Sequence, residues 1–222
     1  MKEIYIHVGL PKTGTTFLQE EIFKKMNVRY IRGVDFRKYC FYRDKKTIIS
    51  EETLSGDPYS KVDNRYIIAE NLHKLFPDAK IIVGLRNPKD LIESLKSQYI
   101  RGGGVFKTLY INPSYVYGQK EYVNYLKSLF SDVFVYDYDK DIKRDKKSFV
   151  ERLCEFVGEP VPDYKDVKYR VRLKPYQMRM LEFINRFFYY PERNPYGKLP
   201  TSFGEGIREV IGRLTKSGMQ RL

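Results

Sequence analysis

Apolar positions along the first third of the chain change period twice. Residues 3–8, "EIYIHV", alternate and predict a strand. A glycine-containing loop follows. "TTFLQEEIFKKM" then carries Phe17, Leu18, Ile22, Phe23 and Met26, a stripe that predicts a helix. "TIIS" at 47–50 predicts a second strand, and "DNRYIIAENLHKLF" a helix burying Ile67, Ile68, Leu72, Leu75 and Phe76. "AKIIVGL" at 79–85 is an unbroken apolar run, the pattern of a strand covered on both faces. In "RNPKDLIESLKSQYI", Asn87 suits an N-cap, Pro88 the first helical turn and Asp90 a variant capping box. Its inward stripe is Leu91, Ile92, Leu95 and Tyr99.

Further helices are expected over about 115–130, over "KKSFVERLCEFVGEP" with Gly158 and Pro160 as the stop, and over "QMRMLEFINRFF". A weaker one is expected near 205–215. "DVFVYDY" at 132–138 is a strand. Strands alternating with helices predict an α/β fold, three layers around a central parallel sheet, and the G-x-x-x-x-G spacing of "GLPKTGTT" after the first strand makes it a P-loop-like nucleotide-binding fold. Ligands of such sheets lie beyond the carboxyl ends of the strands. The 222 residues fit one domain spanning 1–222.

Composition narrows the classes. Net charge is +13, from 41 Lys and Arg against 28 Asp and Glu, which attracts anionic ligands without choosing among them. Cys40 and Cys154 lack C-x-x-C spacing, and His7 and His73 are isolated, so no metal is expected and reduced thiols in a cytoplasmic setting are. The start "MKEIYIHVGL" does not have the form of a signal peptide, and no apolar run is long enough for a transmembrane segment. Nucleic acid is not an expected partner, because no recognised binding motif accompanies the charge.

The loop "GLPKTGTT" after the first strand holds the spacing of a phosphate-binding loop, G-x-x-x-x-G-K-[ST], at Gly9, Gly14 and Thr16. The usual lysine position is Thr15, and the loop's lysine is Lys12. Backbone N–H groups and a helix start still bind a phosphate there, with Lys12 adding an ammonium and Thr13, Thr15 and Thr16 adding hydroxyls.

"PKTGTT" resembles the 5′-phosphosulfate loop of the sulfotransferases that use 3′-phosphoadenosine 5′-phosphosulfate (PAPS), and "LRNPKDLIESLKSQY" resembles that family's 3′-phosphate signature. The resemblance covers about residues 3–160. It implies that Pro11, Lys12, Thr13, Gly14, Thr15 and Thr16 hold the donor's 5′ end, with Lys12 at the bridging oxygen, and that Arg86 and Ser94 hold its 3′-phosphate. The product would be 3′,5′-adenosine bisphosphate. Arginine's fork suits such a phosphate.

Transfer to a hydroxyl needs a base. "IISEETLSG" puts Glu51 and Glu52 at the end of the second strand. Glycan-modifying members use a glutamate after a corresponding strand, and similar bacterial-type sequences carry S-x-E-x-L, which matches Ser50, Glu52 and Leu54. Glu52 is favoured as base, with Glu51 second, and the acceptor is expected to be a carbohydrate hydroxyl. His7 reads as a core or supporting histidine and His73 as structural. "YIRGGGVFKTLY", with Arg101 and Lys107, reads as an acceptor opening or a surface loop, and Arg170 and Arg172 as ligand contacts or a solvated edge. The alternative is an atypical P-loop kinase acting on a small molecule with Mg²⁺, for which Asp137 and Asp139 are the nearest metal ligands.

Overall fold

The structure is a computed structural model, and it describes residues 3–33, 45–167, 169 and 172–188. The chain divides into two compact units, Met1–Ile92 with Ile111–Arg170, and Glu93–Tyr110 with Val171–Leu222. The helix expected near 205–215, Cys40 and Arg170 lie outside the described residues.

The first unit is built on a five-stranded sheet: β1 (Ile4–Val8), β2 (Arg29–Arg32), β3 (Thr47–Glu51), β4 (Lys80–Leu85) and β5 (Val133–Asp137). The strand order is β2-β3-β1-β4-β5, and every neighbouring pair is parallel. Side chains of one strand alternate between two cores. Tyr5, Ile48, Ile82 and Tyr136 face one, and Ile6, Ile49, Ile81 and Val83 the other. The helices are α1 (Thr15–Phe17), α2 (Arg65–Leu75), α3 (Pro88–Arg101), α4 (Pro113–Tyr117), α5 (Gln119–Leu129), α6 (Lys146–Val157) and α7 (Pro175–Asn185). α1 and α6 pack on the first face, α2 and α5 on the second, which makes three layers.

Four elements differ from the sequence pattern, the first being the helix expected over about 115–130, which is two, α4 and α5, parted at Gly118. β2 carries no continuous apolar run and forms a half-buried edge strand beside β3. The helix expected over 15–26 begins with one α-helical turn, widens into π-helix at Leu18–Ile22 and tightens to 3₁₀ at Phe23–Lys25. All five of its expected core residues are buried.

In α2 the phase is rotated. Leu72 is buried and Ile68 and Phe76 pack partly buried against the core as expected, but Ile67 and Leu75 are exposed, and Arg65 and Ala69 are buried in their place. The cause is Arg65, which is fully buried. Its guanidinium makes two bonds to the Asp63 carboxylate, at 2.8 and 2.6 Å, and lies 4.5 Å from the centre of the Tyr115 ring. A buried charge so paired and stacked occupies a core position that polarity alone would deny it.

The stripe expected on α3 stands as read, except that Ile92 is half-buried, and α5 buries Val123, Leu126 and its following Phe130 while α6 buries Phe149, Val150, Leu153 and Val157. Asn87 Oδ1 accepts the Lys89 N–H at 3.0 Å as the α3 cap, and Gly158 ends α6 in the left-handed conformation.

The second unit contains most of α3, a 3₁₀ turn at Phe106–Thr108 and α7. Asn185, fully buried on α7, donates to the carbonyls of Ile100 and Gly104, each at 2.8 Å. Leu173 N–H donates to Ser97 Oγ at 2.9 Å. Ser94 belongs to this unit and is buried. Among the described residues no helix is long and apolar enough to cross a membrane.

Candidate functional site

Three central neighbours, β3, β1 and β4, end at one edge of the first unit's sheet. Glu51 and Glu52 follow β3, the glycine loop follows β1, and Arg86 follows β4. Parallel pairing therefore brings the glycine loop, Arg86 and both glutamates to the carboxyl edge of adjacent strands.

The glycine loop is held from behind. Ser55 Oγ donates toward the Gly9 carbonyl at 3.1 Å, Thr13 Oγ1 donates to the Leu10 carbonyl at 2.6 Å, and an Arg86 guanidinium nitrogen donates to the Lys12 carbonyl at 2.7 Å. With these carbonyls engaged, the polar groups left to face a ligand are chiefly N–H donors. The first bond of the following helix runs from Leu18 N–H to the Gly14 carbonyl at 3.1 Å, and a helix start leaves its preceding N–H groups without intrahelical partners.

Lys12 has φ of 68° and Gly14 has φ of 88°. Two nearby left-handed residues turn the backbone sharply enough to make a concave loop. A side chain at Gly14 would also meet Ile142 Cδ1 at 2.6 Å. Thr15 is buried, and among the described residues its Oγ1 has no hydrogen-bond partner. That hydroxyl lies 3.0 Å from where a Cβ on Gly9 would stand.

Beneath the loop runs a buried polar row. Gln19 Nε2 donates to Ser50 Oγ at 3.1 Å, and His7 Nδ1 lies 2.7 Å from the same oxygen. His7 Nε2 lies 3.4 Å from the Tyr136 hydroxyl, which points to Thr13 Oγ1 at 3.4 Å. Burial holds the His7 imidazole down at about 3, so it is neutral. Tyr136 reaches this row from β5 because β4 has Gly84 at its register position; a Cβ there would stand 2.6 Å from the Tyr136 oxygen. His7 is thus a satisfied core histidine below the loop. His73 packs edge-on against Phe130.

The two glutamates separate. The Glu51 carboxylate accepts the Thr53 N–H at 3.3 Å and caps the 3₁₀ turn Glu52–Ser55. Glu52, half-buried, lies close enough to Tyr136 that its charge acts on the phenol. Burial chiefly pushes that phenol above its ordinary range, the bond to Thr13 works against this, and Glu52 adds to it.

Arg86 is fixed on three sides. Its guanidinium carbon lies 4.7 Å from the Tyr138 ring centre, its N–H donates to Gln119 Oε1 at 3.0 Å, and its carbonyl accepts from Gln119 Nε2 at 3.0 Å. The candidate metal carboxylates serve the backbone. Asp137 accepts the N–H groups of Asp139 and Lys140, at 2.9 and 3.1 Å, while Asp139 accepts the Asn87 N–H at 3.0 Å and pairs with Lys143. Among the described residues, no three His, Cys, Asp or Glu side chains group as metal ligands. Arg101, Lys107 and Arg172 belong to the second unit.

Ser55, Tyr115, Tyr136 and Gln119 carry no spacing signal in the sequence. Gly84 does carry one, as a glycine inside an apolar strand, where it marks a close approach.

The family described as "Sulfotransferase domain" matches residues 54–172. That stretch includes Arg86 and Ser94 and begins after the glycine loop and the two glutamates. Among solved structures, a sulfotransferase from Alicyclobacillus acidocaldarius is similar, with 16% identity and a TM-score of 0.45, over 83% of this chain and 90% of that one. No curated protein matches.

Proposed function

We propose, for a chain that belongs to the sulfotransferase domain family, that it transfers a sulfuryl group from PAPS to an acceptor hydroxyl, and that the acceptor is a carbohydrate. The observation that carries this reading is the loop whose Gly9, Leu10 and Lys12 carbonyls are all tied back, one of them by Arg86 itself. The residues present suit the donor: a concave run of N–H groups, a buried Thr15 hydroxyl without a partner among the described residues, and an arginine beside the loop.

In this reading the N–H groups from Thr13 to Thr16, with the Thr15 and Thr16 hydroxyls, hold the 5′-phosphate. Arg86, which has donors beyond the one bonded to the Lys12 carbonyl, holds the 3′-phosphate. Ser94 is carried by the resemblance alone. The bound donor supplies an activated sulfuryl group. Lys12 neutralises the charge that gathers on the departing phosphate oxygen, and needs no metal to do so. Glu52 accepts the proton of the attacking hydroxyl. Glu52 is preferred to Glu51 because the Glu51 carboxylate is occupied in capping its own turn. The carbohydrate acceptor rests on the resemblance to glycan-modifying members, which use a glutamate base.

The kinase alternative is the less favoured, because Asp137 and Asp139 already spend carboxylate oxygens on backbone N–H groups. Calorimetry separates the two. Binding of 3′,5′-adenosine bisphosphate in EDTA, followed by transfer of labelled sulfate from PAPS to a member of a glycan, lipid and phenol panel, is the expected result. Indifference to the bisphosphate at millimolar concentration, with binding of ATP–Mg²⁺, overturns the reading.

A further inference from the structure

Ser55 is fully buried and touches three groups that belong to different parts of the first unit. Its Oγ lies 2.8 Å from the Glu52 carbonyl, 3.1 Å from the Gly9 carbonyl and 3.0 Å from the Tyr115 hydroxyl. A serine hydroxyl has one proton and two lone pairs. Carbonyls only accept, so the proton is committed to Glu52 and Gly9, shared between them. The Tyr115 hydroxyl must then be the donor to Ser55.

Tyr115 is immobilised in turn. It is 1% exposed, and the Arg65 guanidinium is stacked against its ring and donates to its carbonyl at 3.2 Å. A second Arg65 nitrogen donates to the Ser114 carbonyl at 2.9 Å. Asn112 Oδ1 accepts the Ser114 N–H at 2.9 Å and so fixes the start of α4. The chain of contacts therefore runs from a buried ion pair, through a phenol, to one hydroxyl that joins the turn carrying Glu52 to the loop carrying Lys12.

We propose that Ser55, oriented by Tyr115, is a positioning residue that sets the distance between the base and the leaving-group lysine. The inference rests on the reading of Glu52 and the glycine loop given above. A local hydrogen bond that only ended a 3₁₀ turn would need the Glu52 carbonyl alone. The second carbonyl, 46 residues earlier in the chain, is what gives Ser55 a role across the site.

The test is a double-mutant cycle with hydrogen exchange beside it. Ser55→Ala is expected to lower kcat of sulfuryl transfer by about 10–100-fold, the scale of a small misplacement of reacting groups. The Kd for 3′,5′-adenosine bisphosphate is expected to move far less. In a Glu52→Gln background the same substitution is expected to cost little more, because it acts through Glu52. An equal loss in both backgrounds overturns the proposal.

Exchange needs no activity. In Ser55→Ala the amides of 9–16 and of 52–56 are expected to exchange faster together. Acceleration confined to 52–56 overturns the clamp. Absence of any sulfuryl transfer by the wild-type protein strikes the functional reading instead, and exchange alone then upholds or overturns the link between loop and turn.

Discussion

Lys12 occupies the left-handed region at φ 68° without being glycine. That conformation costs an L-residue roughly 1–2 kcal/mol, and a cost of this kind persists where the surroundings impose it. Here the Arg86 bond to its carbonyl is part of the imposition. Lys12→Gly is therefore expected to hold or raise stability, within about 1 kcal/mol once glycine's greater unfolded-state freedom is counted. It should nonetheless lower turnover by roughly 10²–10³-fold, the scale for losing one transition-state donor. A fall in Tm with turnover intact would place Lys12 among structural residues. Arg86→Lys keeps the charge and loses the fork. Its Kd for 3′,5′-adenosine bisphosphate is expected to weaken by about 10–100-fold, matching a charged hydrogen bond of about 1.5–3 kcal/mol; calorimetry reads this directly, and an unchanged Kd removes Arg86 from the phosphate site.

At the scale of elements, the helix start at α1 and the π-helix Tyr138–Ile142 meet over Gly14. Two separate costs forbid a side chain there: the φ of 88°, and the Ile142 Cδ1 atom 2.6 Å away. Gly14→Ala incurs both. Adding Ile142→Val removes the offending methyl and leaves the backbone cost. The double variant is expected to recover part of the lost stability, leaving a deficit of about 1–2 kcal/mol, measurable by denaturant unfolding; no recovery means that the contact costs nothing.

The same scale shows what a sequence can disclose. β3 and β4 were readable because two-sided burial demands apolar residues in sequence, β1 because its positions alternate, and β5, though a half-buried edge strand, because it still reads VFVY. β2, "RYIR", was not, since an edge strand half open to water needs no such run. The phase of α2 went astray at Arg65, whose charge argues for solvent until Asp63 and two tyrosines are seen around it. The glycine loop and the position of Arg86 were legible because a strand, a glycine turn and a helix start leave a local pattern at short spacing. Ser55 and Tyr115 were not, because a hydroxyl pair joined across 60 residues follows from topology and leaves no local pattern.

For the whole molecule, the strongest consequence of burying polar groups near the loop is its response to acid. His7 is neutral in the fold, held down at about 3 by burial, against an ordinary value of 6.5. Between those values the unfolded chain binds a proton that the native chain refuses, so stability must fall as pH drops from 6.5 toward 3. Glu21 acts with the same sign over a lower range. Its bonds to Lys25, Tyr169 and the Lys165 N–H bring it down to about 2 from 4.5, so what it contributes is complete above 4.5 and disappears as pH falls through about 2. The two windows overlap between 4.5 and 3, with only His7 acting above 4.5. Loss of stability should begin near pH 6 with a slope no steeper than about 1.4 kcal/mol per pH unit, the limit for one proton, before the carboxylate joins below 4.5. Denaturant titrations at stepped pH measure the slope. In a His73→Gln background, the remaining histidine resonance should not shift between pH 7.5 and about 5, where a group at its ordinary value would change charge. A resonance that titrates near 6.5 would mean that His7 is open to water, and the polar row beneath the glycine loop would then not be the sealed support that holds Thr13 in place.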